Sequence, residues 1–132
     1  MLNFSLSLID KMIFIENQNL FQFKTNNNDI LSKKEYNYYY KEFERLGKVY
    51  EKMAHSYKNK NNFETSLDLF ELASSLYNES GILRKKCQNT YYKDDTDYQK
   101  FDNHILAYKD CFYKYNRCRN NYNKIKNELL IK

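Results

Sequence analysis

The clearest signal along the chain is an apolar stripe. Tyr36, Tyr39, Phe43, Leu46, Tyr50, Met53 and Tyr57 recur at spacings of three and four, which places them on one face of a helix of about 25 residues. Ser32 stands just ahead, with Glu35 three residues later. That is capping-box spacing, in which each side chain satisfies the other residue's orphan backbone N–H. The run Lys58-Asn59-Lys60-Asn61-Asn62 ends the helix. A second helix begins at Phe63. Leu67, Phe70, Ala73 and Tyr77 share one face, and Leu69, Leu72 and Leu76 widen it, so this helix is expected to be buried on more than one side. Ser80-Gly81 is expected to close it, with Gly81 in the left-handed C-terminal position, and a shorter helix from Ile82 to Lys93 follows. Asp94-Asp95-Thr96-Asp97 makes a polar break that also supplies a cap. The last helix reads Phe101, Ile105, Tyr108, Phe112, Tyr115, Cys118, Tyr122, Ile125 and Leu129, again at helical spacing and about 30 residues long.

The N-terminal stretch is less regular. Leu6, Ile9, Ile13, Leu20 and Phe23 follow a helical period, although the alternation in Phe4-Ser5-Leu6-Ser7-Leu8 also fits a strand. Thr25-Asn26-Asn27-Asn28-Asp29 then reads as a polar linker. The expected organisation is one helical domain over residues 1–132. It comprises an apolar N-terminal segment at 1–24, a helical-hairpin core at 30–93 and a long C-terminal helix at 97–130.

Composition supports the all-α reading. The 132 residues contain no proline and only two glycines, Gly47 and Gly81. An all-β fold of this length needs many turns, and turns draw on both residue types. Fourteen Tyr and nine Phe provide much of the apolar surface. Eighteen Asn and eighteen Lys point to an A- and T-rich coding bias, which accounts for much of the Tyr, Asn and Lys content without invoking function.

The net charge of +5 is distributed in blocks. Residues 33–60 carry +4, 61–80 carry −4, 81–93 carry +4, 94–103 carry −3 and 104–132 carry +5. Alternation of this kind fits complementary helix faces better than one continuous nucleic-acid footprint. Three cysteines, Cys87, Cys111 and Cys118, have no disulfide-framework spacing, which favours a reducing compartment. Cys111 and Cys118 lie seven apart on one helix face, as core-facing thiols would. In the N-terminal stretch, Asp10, Lys11 and Glu16 interrupt the apolar run, so a transmembrane helix fits badly. With no basic region ahead of that run, a signal peptide fits badly too.

Residues 47–80 carry the most specific pattern. Tyr50, the pair Met53-Ala54 and Tyr57 fall in the first helix, and Ser66, Phe70 and Ala73 in the second. This resembles a tetratricopeptide repeat, a 34-residue unit of two antiparallel helices. Small residues at Ala54, Ser66 and Ala73 let two backbones approach, and Tyr57 and Phe70 fill the space beside them. The usual following proline is replaced by Asn78. Within that superfamily, the run Tyr50-Glu51-Lys52-Met53-Ala54-His55-Ser56-Tyr57-Lys58, then Asn62-Phe63-Glu64, Phe70 and Ala73, resembles the early hairpins of soluble NSF attachment proteins. The likeness covers about 35 of 132 residues. The chain is less than half the family's usual length. It ends Leu129-Leu130-Ile131-Lys132 where that family has an acidic, leucine-ended C-terminus.

The resemblance implies a protein-binding adaptor of vesicle fusion, acting on SNARE complexes and their disassembly ATPase. It implies that basic residues on the hairpin surface, Lys48, Lys52, Lys58, Arg84, Lys85 and Lys86, meet an acidic four-helix bundle. It also implies that Ile13, Phe14, Ile15, Leu20 and Phe21 touch membrane or partner.

Catalysis has little to build on. The histidines are His55 and His104. His104 and Cys111 are seven residues apart, about 10 Å along a helix, too far for a nucleophile–base contact. Two glycines cannot form a phosphate-cradling loop. Asp94, Asp95 and Asp97 lack calcium-loop spacing. The segment from Lys114 to Lys126 is basic and aromatic, as a single-strand binder is, but Tyr115 and Tyr122 fall on the apolar stripe. The expected protein is therefore a cytoplasmic, non-enzymatic adaptor that needs no cofactor or metal and makes peripheral membrane contact. The alternatives are a structural subunit of a larger complex and a basic helical nucleic-acid binder.

Overall fold

The computed structural model describes residues 31–92 and 98–131. Three α-helices make up this region: α1 over Lys33–Asn59, α2 over Phe63–Cys87 and α3 over Tyr98–Ile131. Among the described residues there is no strand.

Helix α1 begins where the sequence places it. The Ser32 hydroxyl accepts from the Glu35 backbone N–H at 3.1 Å, and the Glu35 carboxylate accepts from the Ser32 N–H at 3.3 Å, a complete capping box. The helix ends in a three-residue turn. Asn61 sits in the left-handed region at φ 63. The Asn62 N–H donates to the Tyr57 carbonyl at 2.9 Å, and the Asn61 N–H donates to the Lys58 carbonyl at 3.0 Å. These are the two bonds of a Schellman ending, with asparagine where glycine is usual. Asn62 then caps α2, its side chain accepting from the Thr65 N–H.

The second helix differs from the expectation. Ser80-Gly81 does not close it: α2 runs unbroken to Cys87 and continues as a π-helical turn over Gln88–Tyr92. The helix expected from Ile82 is the last six residues of α2 together with that π-helical turn. Gly81 has no positive φ. Its lack of a side chain serves a close approach instead, since a Cβ there would stand 3.0 Å from the Phe112 ring and 3.3 Å from Cys111 Cβ. Gly47 does the same in α1, where a Cβ would lie 3.1 Å from the Tyr77 ring.

Two buried hydroxyls fix how α1 and α2 meet. Ser66 donates to the Ala54 carbonyl at 2.8 Å, and Ser80 donates to the Tyr40 carbonyl at 2.7 Å. The two pairs set an antiparallel register in which Ala73 lies opposite Gly47. Rows of small side chains at seven-residue spacing, Gly47 and Ala54 against Ser66, Ala73 and Ser80, let the backbones come this close. Ala54, Ala73, Ser66 and Ser80 are fully buried.

Helix α2 is central and packs along both α1 and α3. Among the described side chains of α3, the fully shielded ones are narrow in extent: Cys111, Cys118 and Ile125, again seven apart. Tyr108, Phe112, Tyr115 and Tyr122 flank that row and are half-buried. Helix α3 reaches α1 through charged side chains. Lys114 meets Glu44, and Arg117 meets Glu51. Both pairs ascend together, so α3 runs parallel to α1.

Candidate functional site

Along the α1–α3 seam lie two carboxylates, Glu44 and Glu51, seven residues apart and on the same side of α1. Each takes at least one cation from another helix. Glu51 receives four donors. Arg117 grips it with two bonds, Nε to Oε2 at 2.7 Å and Nη2 to Oε1 at 2.6 Å. The Tyr77 hydroxyl donates to Oε1 at 3.0 Å and the Cys118 thiol to Oε2 at 3.4 Å. Burial alone would raise the Glu51 carboxyl, but these donors, Arg117 first, overcome it and hold the pKa below the ordinary value. The same contact raises Arg117 further, chiefly through its hydrogen bonds to Glu51. Burial, followed by the Glu51 charge, pushes Tyr77 well above its ordinary range and the Cys118 thiol up to about 12.

Glu44 lies in a more crowded cationic setting. Lys114 donates to Oε1 at 3.0 Å and Arg84 to Oε2 at 2.9 Å, while the Lys48 ammonium stands 3.7 Å away. The Arg84 guanidinium also lies 4.0 Å over the Tyr40 ring, a cation–π contact. Its Nε is buried without a hydrogen-bond partner. Here too burial pulls the carboxyl pKa up, and the bonds from Lys114 and Arg84 bring it below the ordinary value. Lys114 is raised because its bonds to Asp110 and Glu44 outweigh its desolvation.

These groups hold helices together. The thiols of Cys87, Cys111 and Cys118 are free and buried, and burial is the leading cause that raises each. A raised thiol is a poor nucleophile and a poor metal ligand. Among the described residues, no three His, Cys, Asp or Glu side chains come together as a metal site would need. Also among the described residues, no helix is long and apolar enough to cross a membrane. His55 is exposed, with its ring edge-on to Phe70 at 5.0 Å.

The outward face of α1 is different in kind. Lys34, Tyr38, Lys41, Arg45, Lys48 and Lys52 are all exposed and follow one another at spacings of four and three. This row of five cations and one tyrosine spans about 27 Å and contains no carboxylate. Glu44 and Glu51 are turned inward, and Glu42, beside the row, pairs with Arg45 at 2.9 Å.

The basic residues singled out in the sequence scatter across the fold. Lys48 and Lys52 are the last two members of the row on α1. Lys58 is half-buried in the last turn of α1, and Lys85 and Lys86 are exposed in the last turn of α2. Because α1 and α2 are antiparallel, those two last turns lie at opposite ends of the pair. Arg84 is drawn inside, onto Glu44 and Tyr40. Ile13, Phe14, Ile15, Leu20 and Phe21 lie outside the described residues. Lys34, Lys41 and Arg45 complete the row that Lys48 and Lys52 only hinted at. Their signal in the sequence is the same three-and-four spacing, read on the polar side of the apolar stripe. In the basic segment of α3, Tyr122 lies half-buried under Arg119 at 4.5 Å and Lys126 at 5.8 Å, so two of the segment's cations already rest on that ring. Compared with protein-family models, with curated proteins and with solved structures, the chain matches none.

Proposed function

We propose that the chain is a non-enzymatic protein–protein interaction adaptor that docks an acidic partner on the outer face of α1. The observation carrying this reading is the row Lys34, Lys41, Arg45, Lys48 and Lys52, exposed along one rigid helix while the nearby carboxylates Glu44 and Glu51 are held inside. A helix braced along its inner face presents its cations at fixed spacing, which favours recognition of a partner with carboxylates at matching intervals. The antiparallel α1–α2 pair, with small residues at its crossing, supports the tetratricopeptide-like reading. The run from Tyr50 to Ala73 supports likeness to soluble NSF attachment proteins.

On that reading the acidic partner is a SNARE four-helix bundle, the process is its disassembly in vesicle fusion, and Ile13, Phe14, Ile15, Leu20 and Phe21 make a peripheral membrane contact. Lys58, Lys85 and Lys86 lie at the ends of the hairpin, off the outer face of α1, and neither they nor Arg84, engaged with Glu44, would join the contact. A pull-down with preassembled SNARE bundles at low salt tests the idea. Capture that is lost in the Lys41→Glu/Lys48→Glu/Lys52→Glu variant supports it, and no capture at low salt sinks the vesicle-fusion reading.

A further inference from the structure

The described surface has a second row that mirrors the first. On α2, Glu64, Asp68, Glu71 and Ser75 are exposed, and Asn78 and Ile82 are half-exposed. Read backwards from Ile82 to Glu64, these positions are spaced four, three, four, three, four. From Lys34 to Lys52, the α1 row is spaced four, three, four, three, four. Laid antiparallel, the rows match in spacing, and three of the six facing pairs join opposite charges, while Lys41 faces Ser75 and Lys34 faces Ile82. Arg45 meets Glu71, Lys48 meets Asp68 and Lys52 meets Glu64. Tyr38 faces Asn78. The same register sets Val49, which is 41% exposed, opposite the half-exposed Leu67.

The two rows cannot pair within one molecule. Ser66 and Ser80 show which side of α2 faces α1. Glu64, Asp68 and Glu71 are offset from that side by about half a turn of helix. The acidic row therefore points away from α1, and the basic row points away from α2. A single copy carries complementary charges on faces that never meet. A second copy, shifted sideways by one hairpin, brings them together and continues the up–down order of the helices.

We infer that copies of this chain stack head to tail, the acidic row of α2 in one copy docking on the basic row of α1 in the next. It rests on the reading of the α1 outer face as a docking surface and commits that surface to a second copy. Because different faces are used, the contact is heterologous, and assembly runs to a ring or an open stack rather than stopping at a two-fold dimer. Exposed ion pairs are individually weak, and Arg45 and Lys48 exchange their intrahelical contacts with Glu42 and Glu44 for the new ones. Stacking is thus favoured by high concentration and low salt.

Sedimentation velocity of the full chain over a concentration series tests this. Average mass should rise with concentration and fall back to the monomer on going from about 0.1 M to about 1 M salt, which shortens the screening length from about 10 Å to about 3 Å. Two charge-reversed chains give the sharper test: Glu64→Lys/Asp68→Lys/Glu71→Lys and Arg45→Glu/Lys48→Glu/Lys52→Glu. Each, with helicity checked by circular dichroism, should be monomeric alone. Mixed in equal amounts they should assemble again, because each face finds an opposite charge. A wild-type chain that stays monomeric at low salt overturns the proposal, as does a mixture that stays monomeric. Capture of an acidic helical bundle by a chain monomeric throughout would overturn stacking and leave the adaptor reading standing.

Discussion

Glu44 and Glu51 occupy equivalent places on α1, yet their surroundings differ. Glu51 is the better satisfied, with four donors on its two oxygens. Its main cation, Arg117, keeps 40% of its side chain in water. Glu44 is bonded by fewer donors, but both of its bonded cations, Arg84 and Lys114, are only 15% exposed. The number of bonds a buried charge makes and the cost of removing that charge are separate quantities. The second depends on what is left behind.

Removing each carboxylate should therefore rank them against intuition. Glu44→Ala strands two neighbouring cations in the interior, and a loss of about 3 kcal/mol is expected, with Lys114 still holding Asp110. Glu51→Ala lets Arg117 swing into solvent but leaves the fully buried Tyr77 hydroxyl without its acceptor, for a loss of about 2 kcal/mol. Urea unfolding of the two variants decides the order, and a larger loss at Glu51 would reverse the comparison.

Acid should weaken both sites together. Both carboxyls are held below the ordinary 4.5 in the fold, so the unfolded chain binds more protons as pH falls past that value. The stability they contribute is complete above pH 4.5 and is lost as pH drops through the lowered folded values. Glu44→Gln and Glu51→Gln should each flatten the slope of unfolding free energy against pH in that window.

Finer changes probe one side at a time. Tyr77→Phe removes one of four donors from Glu51 and should cost about 1 kcal/mol. Lys48→Ala removes the outermost cation near Glu44, whose side chain is 57% exposed, and a change within about 0.5 kcal/mol is expected. Chemical denaturation reads both. A Lys48 effect matching that of Tyr77 would show that the cations around Glu44 act as one network.

The sequence made the local features legible and left the long-range ones hidden. Ser32 with Glu35, the turn at Lys60–Asn62 and the long last helix depend on neighbours a few residues away, and each appears where expected. Tyr39, Met53 and Tyr57 read as core from their period, yet they are only half-buried. The stripe turned toward α2 runs instead through Tyr40, Gly47 and Ala54, because small residues mark the close approach. Gly81 looked like a helix end because glycine after a polar residue usually marks one. Its reason for being there is Phe112, far along the chain. Glu44 and Glu51 are masked by block-averaged charge: they are minority acids of a basic block, and their cations come from two other basic blocks, Arg84 from one and Lys114 and Arg117 from the other. No local period announces a carboxylate whose cation lies 66 or 70 residues away.

The three-residue turn between α1 and α2 also has a kinetic meaning. It lets Ala54 and Ser66, only 12 residues apart, meet across a short loop, whereas Glu44 must wait for Lys114 across 70 residues. Closing the longer loop costs about 1.5 kcal/mol more chain entropy. The α1–α2 pair should therefore assemble first and α3 should dock onto it late. Substitutions at Lys114 and Arg117, which reach Glu44 and Glu51 from α3, then speed unfolding and leave the folding rate nearly unchanged, so these two cations govern how long the native state lasts more than how fast it forms.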